Sequence, residues 1–253
     1  MLLSLHDIHL SFSGIKALRG VSLEVEKGQL VALIGPNGAG KTSLFNCISG
    51  IYHPQEGQLY FSGESIRGAS PHKIASLGVA RTFQNLALFE HLTVLDNLLL
   101  GRHPLYQSHW FTDLFWASKT KNEEIRHRLK AEEIIDFLDL EMYRKIPVGI
   151  LPYGVLKRVE LGRALCMEPK LLLLDEPAAG LNHEATEDMA RYILDIKEEL
   201  GVSQLLIEHD LRLVLDLADK IAVLDFGETI ADGTPDEVRN HPEVIRAYTG
   251  GEG

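Results

Sequence analysis

The stretch Gly35-Pro36-Asn37-Gly38-Ala39-Gly40-Lys41-Thr42 decides the fold. Leu30-Val31-Ala32-Leu33-Ile34 precede it, and five continuous apolar residues are the pattern of a strand buried on both faces. Leu44, Phe45 and Ile48 follow it at helical spacing. A glycine-rich turn thus joins a buried strand to a helix, which is the context that G-x-x-x-x-G-K-[ST] needs to hold phosphate. Glycines let successive N–H groups curl around phosphate oxygens, where a Cβ would obstruct the approach or forbid the needed φ. A helix that starts near Lys41 adds the positive end of its dipole. Lys41 supplies a point charge to the β- and γ-phosphates, and the Thr42 hydroxyl is placed to bind Mg²⁺. A glycine turn beside a solvated lysine is the bland alternative, and the strand before it and the helix after it outweigh that reading.

The second half of such a site stands at residues 170–177, Lys-Leu-Leu-Leu-Leu-Asp-Glu-Pro. A buried strand ends there in two adjacent acids. Asp175 is placed to hold Mg²⁺, and Glu176 to orient and polarise an attacking water. Two acids at a strand end usually mean a solvated turn. Beside a phosphate loop they mean nucleoside triphosphate hydrolysis.

Working outward, residues 3–25 alternate apolar and polar in two runs, Ile8, Leu10, Phe12 and then Val21, Leu23, Val25, as strands with one wet face do. Strand-like pieces recur at 58–61 and 78–83. Thr93 with Asp96 resembles a capping box and opens a helix with Val94, Leu95, Leu98 and Leu99. Residues 102–118 carry Tyr106, Trp110, Phe111, Phe115 and Trp116, and a charged helix follows with Ile125 and Leu129 on one face. After residue 170 the alternation returns. Met189, Ile193, Ile196 and Leu200 mark a helix face, Gly201 sits where a C-cap belongs, and 204–207 and 221–224 are apolar strands. The pattern predicts an α/β fold: a P-loop NTPase core of mostly parallel sheet, an antiparallel β subdomain and an inserted helical subdomain. The expected boundaries are 1–84 and 156–253 for the nucleotide-binding core and 85–155 for the helical insert, all within one domain.

Composition agrees. The 253 residues are 45% hydrophobic and 24% charged, enough for a core without disulfides or metal. The net charge of -11 disfavours broad nucleic-acid binding. Cys47 and Cys166 sit in apolar helical patterns and are expected to be reduced core residues. No apolar run approaches the ~20 residues that span a bilayer, and the start lacks the pattern of a signal peptide. Any membrane role must come through a partner.

Along nearly its full length the chain resembles the ATP-binding subunits of ABC transporters, and within that family those serving branched-chain amino-acid uptake. Further residues carry the resemblance. Gln84, in Arg81-Thr82-Phe83-Gln84-Asn85, falls at the family's Q-loop, which implies contact with Mg²⁺ and the hydrolytic water. His209, in Ile207-Glu208-His209-Asp210, matches the switch histidine on the γ-phosphate. Phe12 matches the aromatic that stacks on adenine; a core strand residue is its plainer reading. Gly35 to Thr42, with Ser43 after them, would cradle the ATP phosphates. Residues 151–155, Leu-Pro-Tyr-Gly-Val, stand where the signature is usually LSGGQ, so Pro152, Tyr153 and Gly154 would face the nucleotide of a second subunit. Pro152 has neither the hydroxyl nor the N–H of the usual serine. Asn182 stands where the D-loop usually ends in Asp. Residues 232–238 and Ala247-Tyr248 resemble the branch's C-terminal segment, and the long aromatic insert also suits that branch.

The resemblance implies a head-to-tail dimer with two sandwiched ATPs, Mg²⁺ as cofactor, and Glu176, His209 and Gln84 as the catalytic group. It implies membrane permease subunits as partners, an identical or homologous second ATPase subunit, and indirectly a solute-binding protein. The expected place is cytoplasmic, peripheral on the inner face of the cell membrane. The rival readings are a non-transport ABC ATPase acting on ribosomes or nucleic acid, and a module that only binds nucleotide. The first usually needs paired ATPase domains or a coiled coil in one chain. The second usually loses the Glu or His that this chain keeps.

Overall fold

The computed structural model of the chain describes residues 1–82, 86–105 and 117–249. Gln84 and the aromatics Tyr106, Trp110, Phe111, Phe115 and Trp116 lie outside the described residues. The chain divides into two compact units, Met1–Arg81 with Lys170–Gly253, and Thr82–Pro169. Its strands are β1 (Leu3–Phe12), β2 (Ile15–Val25), β3 (Leu30–Ile34), β4 (Glu56–Phe61), β5 (Glu64–Ser65), β6 (Val79–Arg81), β7 (Leu171–Asp175), β8 (Ser203–Ile207), β9 (Lys220–Asp225) and β10 (Glu228–Gly233). Its helices are α1 (Lys41–Ile48), α2 (Pro71–Leu77), α3 (Val94–Gly101), α4 (Ala117–Phe137), α5 (Tyr153–Leu165), α6 (His183–Glu198), α7 (Leu211–Leu217), α8 (Pro235–Arg239) and α9 (Pro242–Thr249). Only α3, α4 and α5 belong to the second unit.

The first unit holds two sheets. A six-stranded sheet runs β10-β9-β3-β8-β7-β6, parallel from β9 to β6, with β10 antiparallel at the edge. Every residue of β3, β7 and β8 is buried, as their unbroken apolar runs require. A four-stranded antiparallel sheet runs β2-β1-β4-β5. Leu3, Leu5, Ile8 and Leu10 of β1 are all buried although their spacing breaks the period of two. A bulge between Leu5 and Ile8, with Asp7 at φ 53°, takes up the extra residue. Phe45, Phe61, Leu33, Leu173 and Ile207 share one apolar core. Cys47 and Cys166 are both buried, and burial pushes each thiol up to about 12.

In the second unit the Thr93–Asp96 capping box forms as expected. Helix α3 crosses α5 so closely that a Cβ on Gly101 would lie 2.2 Å from the Arg163 carbonyl oxygen. At the end of α3, buried Arg102 donates to His127 Nδ1 at 3.0 Å, the Cys166 carbonyl at 2.9 Å and Glu168 Oε1 at 2.7 Å.

Ile125 and Leu129 are exposed; the buried face of α4 is His127, Ala131, Ile134 and Ile135. Two sequence expectations, at Leu200 and at the end of the helical insert, are corrected. Helix α6 stops at Glu198, so Leu200 is exposed, and Gly201 at φ 64° turns the chain into β8. The helical unit runs on to Pro169 instead of closing at 155, since α5 packs on α3 and α4.

Candidate functional site

The turn between β3 and α1 is shaped by its neighbours. A Cβ on Gly35 would lie 2.0 Å from the Leu224 carbonyl oxygen, and one on Gly40 would lie 2.7 Å from that of Ala17. Both glycines have positive φ, 146° and 106°, so packing and backbone conformation each exclude a side chain. Gly227 N–H donates to the Ala39 carbonyl at 3.0 Å, and Ala39 N–H to that of Pro36 at 3.1 Å. Lys41 is buried and folded back on its own loop, with Nζ 2.7 Å from the Gly35 carbonyl and 3.1 Å from that of Pro36. Burial pushes its pKa down, while the nearby Glu176 and Asp175 carboxylates oppose that shift. Thr42, at the start of α1, is exposed.

The acids stand at the end of β7. Asp175 is buried, and Arg81 Nη2 donates to its Oδ2 at 2.7 Å. Arg81 also donates to Asn46 Oδ1 at 2.7 Å and Ser49 Oγ at 3.2 Å, and lies 5.6 Å over the Phe45 ring. One guanidinium therefore ties β6, α1 and β7 together. Glu176 leaves the strand at φ 51°, a region that few residues with a Cβ adopt. Its N–H donates to the Ile207 carbonyl at 2.9 Å, which extends the β7–β8 ladder by one step. His209 Nε2 then meets Glu176 Oε1 at 2.6 Å. Between these two segments lies Glu208, only 5% exposed. Its Oε1 accepts from Ala178 N–H at 2.9 Å and its Oε2 from His209 N–H at 3.1 Å. Burial pushes this carboxyl above its usual range, against the two N–H groups that favour its charge. Asn182, in the expected D-loop, caps α6 by accepting from Ala185 N–H at 2.9 Å.

The fold thus brings Lys41, Asp175, Glu176 and His209 together at the carboxyl ends of the interior parallel strands. Phe12 is exposed at the end of β1, with its ring edge on Tyr52 and centroids 4.9 Å apart. Its hairpin partner β2 supplies the Ala17 carbonyl that walls Gly40. Among the described residues no cluster of His, Cys, Asp or Glu is built for a metal on its own. Hydroxyl and carboxylate oxygens such as those of Thr42 and Asp175 are the hard donors that Mg²⁺ takes, with further positions left to phosphate and water.

In the second unit Pro152 is the N-cap of α5, with φ −59° and ψ 149°. Its carbonyl accepts from Val155 N–H at 3.0 Å and Leu156 N–H at 3.1 Å. The helix begins at Tyr153, and the N–H groups of Tyr153 and Gly154 have no partner among the described residues. Tyr153 is exposed. Two residues that line the first unit's site were quoted in motifs yet given no role from the sequence, Arg81 and Glu208. A charge three residues before the Q-loop glutamine and another beside the switch histidine were the available signals.

Residues 18–179 match the family model described as ABC transporter. Residues 228–253 match the model described as branched-chain amino acid ATP-binding cassette transporter. The chain is 41% identical to the high-affinity branched-chain amino acid transport ATP-binding protein BraF of Pseudomonas aeruginosa, over 98% of each chain. It is 37% identical to LivG of Escherichia coli, a protein of the same description, again over 98% of each chain. A crystal structure of a nucleotide-free ATP-binding cassette from an ABC transporter superposes with a TM-score of 0.85 at 35% identity, over 99% of both chains. The ADP conformation of another such cassette gives 0.84 at 33% identity, over 99% of both chains.

Proposed function

The chain belongs to the ABC transporter family, and from that premise we propose that it is the ATP-hydrolysing subunit of an importer of branched-chain or related amino acids. One observation carries the hydrolytic part: Glu176 and His209 touch at 2.6 Å beside Lys41 and the glycine loop. The cargo rests on likeness to BraF and LivG along the whole chain.

In this reading the free N–H groups of the loop from Asn37 to Ser43 take the phosphates, with Gly35 and Pro36 leading the chain into it. Lys41 exchanges the Gly35 and Pro36 carbonyls for β- and γ-phosphate oxygens. The aromatic face of Phe12 receives adenine. Thr42, Asp175 and Gln84 would hold Mg²⁺, which would supply positive charge to the phosphates. Glu176 accepts the hydrogen bond of the attacking water and polarises it. His209, whose Nε2 lies on Glu176, turns that nitrogen to the γ-phosphate. Pro152, Tyr153 and Gly154 face the ATP of a second ATPase subunit, where the unbonded N–H groups of Tyr153 and Gly154 meet phosphate. No described helix is long and apolar enough to cross a membrane, so translocation falls to permease subunits, with a solute-binding protein delivering cargo.

The test is uptake of labelled leucine, isoleucine and valine into liposomes that hold this chain and its copurifying membrane subunits. ATP-dependent uptake should vanish with Glu176→Gln, whose hydrolysis should fall about 10²–10⁴-fold, as on losing a catalytic base. ATP should still bind that variant and trap a dimer. Wild-type hydrolysis by Glu176→Gln would remove the base from this position. Uptake of a different solute class alone would overturn the cargo.

A further inference from the structure

Strands β7 and β8 are in register up to Asp175 opposite Ile207, and the Glu176 N–H adds one more bond to the Ile207 carbonyl. There the ladder ends. Glu176 turns into positive φ, and residues 177–178 and 208–209 have no strand pairing to hold them. Yet Glu176 and His209 still meet at 2.6 Å. What spans the gap is a side chain that the proposed roles above leave unused. Glu208 accepts from Ala178 N–H with one carboxylate oxygen and from His209 N–H with the other. The bonds cross 30 residues of chain in the first case and one in the second.

We propose that Glu208 is a positioning residue for ATP hydrolysis: its buried carboxylate clamps the backbone of Ala178 to that of His209 and so keeps Glu176 and His209 within reach of each other. The inference rests on the reading of Glu176 and His209 given above.

The chemistry of the position supports it. Two N–H donors, each in a part-buried hydrogen bond, converge on one buried side chain. A carboxylate has two acceptor oxygens for two donors. A glutamine has one, and its NH₂ would face the second donor. An aspartate is one methylene shorter. A carboxyl this buried, with no cation bonded to it among the described residues, is a costly way to satisfy two amides if only stability is at stake. Its place between the turn after Glu176 and the backbone of His209 gives the cost a use.

The experiment compares Glu208→Gln, His209→Ala and the double variant in the full chain, assembled with its membrane subunits. The readouts are kcat, KM for ATP and the equilibrium Kd for labelled ATP. Glu208→Gln is expected to lower kcat about 10–10²-fold, on the scale of a ~1 Å misplacement of a catalytic group. KM and Kd should stay within about threefold, because the Gly35–Thr42 loop is untouched; a general loss of structure would move both. In the His209→Ala background Glu208→Gln should add less than about twofold, the non-additivity expected of a residue that acts through His209. Glu208→Asp, which keeps the charge, should fall between wild type and Glu208→Gln, and serves as the test if the glutamine variant does not fold. A glutamine variant at wild-type kcat, a loss lodged in Kd, or a loss that multiplies fully onto His209→Ala would each overturn the inference while leaving the reading of the site intact. Wild-type hydrolysis by His209→Ala would overturn that reading, and this inference with it.

Discussion

Helices α1 and α5 both begin without a capping side chain, and their starts are built in opposite ways. Gly40, the N-cap of α1, has a left-handed backbone and is walled in by Ala17 and Gly227. The neighbouring Gly35 lies against Leu224. Segments from β2 and from the end of β9 thus shape one phosphate loop. Pro152, the N-cap of α5, needs no such walls. Its ring fixes φ, and its own carbonyl takes the N–H groups of Val155 and Leu156, leaving those of Tyr153 and Gly154 without a partner among the described residues. The first helix end is a site made by tertiary structure. The second is made locally and turned outward, which suits a site completed by another chain.

Predictions that break or sharpen this contrast run from large effects to small. Gly154→Asp should reduce steady-state ATPase of the assembled transporter about 10³-fold. Like charges ~4 Å apart near a protein surface repel by about 4 kcal/mol. An active variant would mean that this helix end meets no phosphate. Lys41→Ala should weaken ATP binding about 10²-fold or more, measured with labelled nucleotide at equilibrium, because a charge-assisted contact to phosphate is lost. Near-normal affinity would unseat the loop. Gly40→Ala should destabilise the fold by about 1–3 kcal/mol, from positive φ and a Cβ jammed against the Ala17 carbonyl. Calorimetry should show Tm falling about 2–4 °C for each kcal/mol. The smallest effect belongs to Pro152→Ala. If backbone N–H groups carry the contact at α5, ATPase should change less than about tenfold, or ~1.4 kcal/mol. A dead Pro152→Ala would make the proline ring itself essential.

The same contrast explains what could be read in advance. The start of α5 depends on neighbours in sequence, since Pro152 fixes its own φ and caps the helix with its own carbonyl. The capping box at Thr93 was equally legible, because both partners lie within one turn. The walls around Gly40 were not, since residues 17 and 227 are far away in the chain. Leu200 and the pair Ile125 and Leu129 mark another limit. Each fits a helical period, and each is exposed, because periodicity names a face without saying what covers it.

The sequence by itself determined the elements and the chemistry strung along them. Unbroken apolar runs made β3, β7 and β8 interior strands, the glycine spacing marked the loop after β3 as the candidate phosphate cradle, and strand ends placed Asp175, Glu176 and His209. Only the tertiary structure decided which of these ends touch. Arg81 meets Asp175 because β6 is the neighbour of β7, and Glu208 reaches Ala178 because β8 is its other neighbour. Strand order in a parallel sheet is set by how helices pack across its faces over long separations in sequence. No local period records that order, so the ion pair and the carboxylate clamp exist only once the sheet is assembled.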